Sequence, residues 1–209
     1  MKILYLIAND ISIENSISQK VNNAKILWCE YGHTVKVVSL FSKKTKPIMK
    51  DAEILISSSN FISKLFSYPI ILYKLYKIVK SFNPDIIYSR YLRYFPFLPL
   101  VLKSKGKYII EINSNDVVET KYRSRIKYFY NIITRRFILN SASAFVCVTN
   151  ELAKSKVFKK FNKRTIVIPN GINVALYSNF KRETYNEEPT FVFIGSPNQT
   201  WHGLKKSFI

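Results

Sequence analysis

The stretch "NPDIIYSRYLRYFPFLPLVLKSKGKYIIEIN", residues 83–113, decides the fold. Its two apolar runs, 85–89 and 108–113, are rich in isoleucine and tyrosine and too short for helices, so they read as strands. Between them a helix follows Pro96 and ends near Gly106. Strand, helix and strand in that order are the unit of a parallel sheet with crossover helices.

Outward from this unit the alternation continues. "KILYLIA" (2–8) is a first strand, and residues 14–31 form a helix that ends where Gly32 can take the left-handed C-terminal position. "TVKVVSL" (34–40) and "AEILISS" (52–58) are the second and third strands. A helix over 61–85 runs to the Asn-Pro break, a long helix spans about 119–140, "AFVCVT" (144–149) is a strand and 150–161 is a helix. "TIVIPNG" (165–171) closes the series. Seven strands with five or six helices predict an α/β class, a doubly wound and mostly parallel sheet of Rossmann-like form. Residues 1–175 are expected to form this domain, 176–189 a linker, and 190–209, "TFVFIGSPNQTWHGLKKSFI", the first strand and loop of a second domain.

With 47% hydrophobic residues the chain can bury a core. Cys29 and Cys147 sit in apolar runs and are expected to be small core hydrophobes in a reducing compartment. The six-residue apolar run at the N-terminus is too short for a secretory signal, and no stretch reaches a membrane span, so a cytoplasmic location is expected. The loudest compositional feature is 33 Lys+Arg against 13 Asp+Glu, a net charge of +20. Such an excess attracts a polyanion or an anionic membrane surface, unless it only reflects a lysine-rich composition.

Its distribution favours helices. Lys74, Lys77 and Lys80 share one side of a helix whose other side carries Ile71, Leu72, Leu75, Ile78 and Val79. In the long helix, Ile126, Tyr130, Ile133 and Phe137 form a stripe expected to face inward. Lys121, Arg123, Arg125, Lys127, Arg135 and Arg136 crowd its other faces. Basic side chains around tyrosines fit a helix lying on anionic lipid, and equally a solvated helix face. Nucleic acid ranks below both, because no helix-turn-helix, zinc knuckle or RNP-like motif is present.

Ligands of a doubly wound sheet bind beyond the C-terminal ends of its strands. The first such loop, "ANDISIENS", has no glycine, and the chain has only five, so neither a dinucleotide fingerprint nor a phosphate-cradling P-loop is present. Arg90, Tyr91 and Arg93 follow the 85–89 strand, where an arginine suits a phosphate or carboxylate or is an ordinary loop residue. Glu111 interrupts an apolar strand, and Asn113, Asn115 and Asp116 follow it. A carboxylate there is either paired or placed for chemistry, and function is the favoured reading. His33 belongs to a turn at the opposite end of the sheet, and with no Cys/His cluster a metal site is not expected.

The series "NPDIIYSRY", "YIIEINS", "ASAFVCVTNELA", "IVIPNGIN" and "FVFIGSPNQTWHGL" resembles, in order and spacing, retaining GT-B-fold glycosyltransferases of the family 4 type, over essentially the whole chain. The resemblance implies the acceptor-side N-terminal half of an enzyme of bacterial surface polysaccharide or glycoconjugate synthesis. It implies a nucleotide-sugar donor held mainly by a C-terminal domain, and no metal or other cofactor. Partners implied are an anionic membrane surface on the inner face of the plasma membrane, met through the 71–82 and 121–137 helices, and a lipid-linked acceptor. Lys74, Lys77, Lys80, Arg123 and Lys127 are the expected membrane-surface residues.

The resemblance places Asn9 and Asp10 at the loop that approaches the donor phosphates. Arg90, Tyr91, Glu111 and Asn113 are expected at the acceptor cleft, where relatives carry a histidine that this sequence lacks, so no catalytic base is assigned. Gly195, Ser196, Trp201, His202 and Gly203 correspond to the donor-domain loop, with Ser196 and His202 where relatives carry diphosphate-binding arginine and lysine. The family's paired glutamates lie beyond this sequence, so activity of the chain alone is not expected. The alternative is a non-catalytic, membrane-associating half that pairs with a separate donor-domain chain. A third reading is a structural remnant with its last residues altered by a frameshift.

Overall fold

A computed structural model of the chain describes residues 1–42, 46–57, 67–171 and 174. Seven strands pair in one sheet: β1 (Lys2–Ile7), β2 (Thr34–Ser42), β3 (Glu53–Ser57), β4 (Ile86–Arg90), β5 (Lys107–Ile112), β6 (Ala144–Cys147) and β7 (Arg164–Val167). Their order is β3-β2-β1-β4-β5-β6-β7, and every pairing is parallel. The direction of winding reverses between β1 and β4, the topological switch point of a doubly wound sheet. Strand β1 is buried from Ile3 to Ile7 because helices cover both of its faces.

Alternation along the strands divides the core in two. Leu4, Leu6, Val38, Leu40 and Ile87 face one side, where they meet α2 (Tyr68–Phe82), α3 (Leu98–Lys103), α5 (Arg125–Ser141) and α7 (Lys156–Lys159). Tyr5, Ile7 and Val37 face the other side and pack on Val21 and Trp28 of α1 (Ser16–Glu30). The remaining helices are α4 (Asp116–Arg123) and α6 (Asn150–Lys154). Met1–Asn170 is one compact unit, and of the second unit, Gly171–Ile209, only residues 171 and 174 are described. The expected linker at 176–189 and strand at 190–195 therefore lie outside the described residues, as do residues 61–66 of the expected second helix.

Local chemistry sets the element ends. Asn15 caps α1, its Oδ1 accepting from the amides of Ile17 and Ser18 at 2.9 Å each, while Ser18 Oγ accepts from the Asn15 amide. Gly32 follows that helix with φ +76°, the left-handed turn its position predicts. Gly106, at φ +67°, must be glycine for a second reason. A Cβ there would lie 2.5 Å from the Pro84 carbonyl oxygen.

Four expectations are corrected. The long helix over 119–140 is two helices, broken at Ser124, whose φ of −173° and ψ of 132° are extended. The break lets α5 rotate independently of α4, and its buried face is Asn131, Arg135, Ile138 and Leu139. Ile126, Tyr130, Ile133 and Phe137 thus form an outer stripe and not an inward one: Ile126 is 82% exposed and Ile133 62%, as is neighbouring Phe129 at 62%. Arg135, expected among surface cations, is buried instead. Cys29 is exposed because the inner face of α1 passes through Val21 and Trp28, leaving the next residue one step round the helix; Cys147 is buried as expected.

Candidate functional site

At the C-terminal edge of the sheet, around the switch point, a cavity of about 520 Å³ opens. Asn9 follows β1, Arg90 ends β4, Tyr91 and Arg93 continue it, and Asn113 follows β5; all line this cavity. Helices supply more of the polar wall through Asp116, Glu119, Thr120 and Arg123 of α4 and Lys127 of α5. Phe41, Tyr68 and Phe95 give the cavity an apolar side. Tyr68 stacks on Phe95 with ring centroids 4.6 Å apart.

A buried polar chain fixes the wall that α4 contributes. Asn115 caps this helix by accepting from the amides of Val117 and Val118. One residue on, Asp116 receives the Arg135 guanidinium as a fork, Nε to Oδ2 and Nη2 to Oδ1, both at 2.7 Å. Asn131 Nδ2 donates to the same Oδ2 at 2.7 Å, and its Oδ1 accepts the Tyr91 hydroxyl at 2.9 Å. Burial pushes the Tyr91 phenol far above its ordinary range, the Asp116 charge adds to this and Arg135 opposes it. The hydroxyl therefore stays protonated and remains a donor.

The charges on the wall do not cancel. Arg123 pairs with Glu119 at 2.9 Å, and Glu119 also accepts from Ser114 Oγ at 2.9 Å. Asp116 is held by Arg135. Arg90, Arg93 and Lys127 make no ion pair among the described residues. Three uncompensated cations from two segments of the chain thus face one cavity, the arrangement that attracts an anion.

Glu111 lies outside the cavity lining, with its side chain on the α1 face of the sheet. It is 3% exposed and accepts from Lys20 Nζ, the Tyr88 hydroxyl and Asn113 Nδ2, each at 2.7 Å. Burial raises its pKa, but those three hydrogen bonds together with the Lys20 charge outweigh burial and hold the carboxyl below its ordinary range. Of the two sequence readings, the paired one describes what the carboxylate does. Lys20 Nζ also donates to Asn170 Oδ1 at 2.8 Å, joining α1 to the segment after β7. Asp10 ties its own loop to the end of β2: its Oδ1 accepts from the Ser12 amide at 3.0 Å, from Ser12 Oγ at 2.6 Å and from Ser42 Oγ.

The structure thus brings Asn9, Arg90, Tyr91 and Asn113 to one cavity and sets Asp10 and Glu111 beside it in other bonds. Arg123 and Lys127, expected on a membrane-facing surface, line the cavity too. Lys74, Lys77 and Lys80 are exposed on α2, with Lys74 Nζ donating to the Leu55 carbonyl at 2.9 Å and Lys77 lying 4.5 Å from the Tyr73 ring centroid. Gly195, Ser196, Trp201, His202 and Gly203 lie outside the described residues. Sequence reasoning missed Lys20, Asn131 and Arg135. The signal for the last two was the serine at 124, a helix-start residue in mid-pattern that resets the phase of the face behind it. Among the described residues no group of three or more His, Cys, Asp and Glu comes together as a metal-ligand set.

A parallel, doubly wound sheet with its cavity beyond the strand C-termini at the switch point is the architecture of the Rossmann-like half of a GT-B enzyme. The profile of Glycosyltransferase Family 4 matches residues 28–176, and the chain belongs to that family. Among solved structures, sucrose-phosphate synthase from Thermosynechococcus elongatus is similar with a TM-score of 0.61 and 16% identity, over 84% of this chain and 50% of that one. The UDP-GlcNAc 2-epimerase of Methanocaldococcus jannaschii is similar with a TM-score of 0.50 and 14% identity, over 80% of this chain and 45% of that one. At such identities the likeness shows the fold, and the chain spans about half the length of these two proteins. No curated protein sequence matches the chain.

Proposed function

We propose that this family 4 chain is the acceptor-side half of a retaining, nucleotide-sugar-dependent glycosyltransferase of bacterial surface polysaccharide or glycoconjugate synthesis. The observation that carries the reading is the cavity at the switch point, where a family member of this fold has its cleft and where Arg90, Tyr91 and Asn113 converge. In this reading the cavity holds the acceptor and orients its hydroxyl toward a sugar carried by a donor-binding domain. Orientation of that kind accounts for a large share of the acceleration in a two-substrate transfer. The anomeric C–O bond of the donor breaks, the nucleoside diphosphate leaves, and the acceptor oxygen bonds to the anomeric carbon with release of its proton. Charge developing on the diphosphate is met by donors of the other domain, with no metal.

The enzyme works in this reading as a peripheral protein at the inner face of the plasma membrane. Among the described residues no helix is long and apolar enough to cross a membrane. The outer stripe of α5, flanked by Arg125, Lys127 and Arg136, supports docking on anionic lipid. It also favours the second reading, a non-catalytic membrane-associating half that pairs with a separate donor-domain chain.

Transfer assays separate the two. Purified 1–209 is assayed with radiolabelled nucleotide sugars, alone and joined to the donor-binding domain of another family member. No transfer alone and transfer in the joined protein is the expected result. Turnover by 1–209 alone would overturn the acceptor-half assignment, and failure of every joined protein favours the non-catalytic reading.

A further inference from the structure

Most neutral donors on the cavity wall are already used inside the protein. The Tyr91 hydroxyl goes to Asn131, Asn113 Nδ2 to Glu111, and Thr120 Oγ1 to the Asp116 carbonyl at 2.7 Å. The carboxylates are used as well, Asp116 by Arg135 and Glu119 by Arg123. What the wall chiefly offers an incoming group is the charge of Arg90, Arg93 and Lys127, with the Asn9 amide and the Tyr68 hydroxyl beside it. A site that recognised a neutral sugar would need the opposite, free amides and hydroxyls that match its hydroxyl groups. Cations brought together without counter-charge repel one another, and a bound anion relieves that repulsion.

We propose that this cavity binds a phosphate ester, the charged part of the acceptor, with Arg90, Arg93 and Lys127 around the phosphate oxygens. The inference rests on the acceptor occupying the cavity. Guanidinium forks match phosphate oxygens in pairs, and the lysine supplies a third, point-like charge. The apolar wall of Tyr68 and Phe95 suits the carbon skeleton next to the phosphate. Lys127 lines the cavity while Ile126, its neighbour on α5, is 82% exposed on the outer stripe, so the cavity lies alongside an apolar surface. Both a lipid phosphate and a water-soluble sugar phosphate carry the required chemistry.

The test is calorimetric titration of the 209-residue protein with decyl phosphate below its micellar concentration, glucose 6-phosphate, and neutral decyl glucoside. Both phosphates are expected to outbind decyl glucoside by at least about tenfold, with affinity falling as salt rises. Tighter binding of decyl phosphate assigns a lipid source, and tighter binding of glucose 6-phosphate a soluble one. The triple variant Arg90→Gln/Arg93→Gln/Lys127→Gln is expected to lose at least about thirtyfold for phosphate and nothing for decyl glucoside. Equal affinity for decyl glucoside, or phosphate binding unchanged in the triple variant, would overturn the site. Arg93 and Lys127 are exposed, so the single variants Arg93→Gln and Lys127→Gln give the same readout should the triple variant fold poorly. Phosphate binding without transfer in any joined protein removes the glycosyltransferase reading and leaves the site. Efficient transfer by a joined protein bearing the triple variant removes the site and leaves the enzyme.

Discussion

Replacing Arg135 by methionine tests the buried chain behind the cavity. Its side chain is 3% exposed and that of Asp116 7%, joined by two bonds of 2.7 Å. The guanidinium also donates to the Val157 carbonyl at 3.3 Å and lies 5.4 and 5.5 Å from the ring centroids of Phe158 and Phe161. Arg135→Met keeps most of the volume but leaves Asp116 a buried carboxylate with only Asn131 beside it among the bonds described. Breaking a buried pair from one side costs about 3–5 kcal/mol. That is a large part of the roughly 5–15 kcal/mol that holds a domain together. At about 2–4 °C per kcal/mol for a unit of this size, melting should fall by roughly 6–20 °C.

Urea denaturation followed by circular dichroism measures the cost, and Asp116→Leu/Arg135→Met shows whether it comes from a stranded charge. Removing both charges together is expected to recover most of the loss, because the desolvation cost goes with the attraction. A single-variant loss below about 1 kcal/mol, the size of an exposed pair, would refute the argument. So would a double variant no more stable than Arg135→Met.

Glu111 gives a pH signature. Its folded carboxyl lies below the ordinary value of 4.5, so the stability it contributes is complete above that value and is lost as pH falls through the folded one. Glu111→Gln should lower the urea midpoint near neutral pH and flatten the decline as pH falls below the ordinary carboxyl range; an unchanged slope in the variant refutes this. On α5, Ile126→Ser/Phe129→Ser/Ile133→Ser should abolish sedimentation with anionic vesicles at low salt while leaving melting unchanged, since these side chains are exposed. Vesicle binding that survives the triple substitution, or that is equal on neutral vesicles, argues against lipid docking through the stripe.

The fold was legible because parallel strands buried on both faces appear as apolar runs, and the punctuation between them is chemically strict. Gly32 and Gly106 stand at positive φ where their helices end, and Asn83 takes the same conformation before Pro84. The cavity residues were legible for a related reason: a ligand site at the C-terminal edge is found by reading one or two residues past each strand, which gave Arg90, Tyr91 and Asn113. What sequence did not show was the pairing of charges. Glu111 takes its lysine from 91 positions away and Asp116 takes its arginine from 19. Both pairs depend on how helices lie across the sheet, which periodicity within one helix does not encode.

The phase of the 116–141 segment shows how much hangs on one such detail. Read as a single helix, the segment turns its apolar stripe inward and its arginines outward among tyrosines. The break at Ser124 reverses that phase: the arginine that can find Asp116 goes in, and the apolar stripe comes out. The exchange is physically consistent, because a charge forked, stacked and hydrogen-bonded inside the fold loses less than an unpaired one, and isoleucine and phenylalanine on the outside need a covering. It also joins the two halves of the functional reading on adjacent residues of α5. Lys127 lines the cavity, Ile126 stands on the outer stripe, and an acceptor entering beside a membrane would meet both.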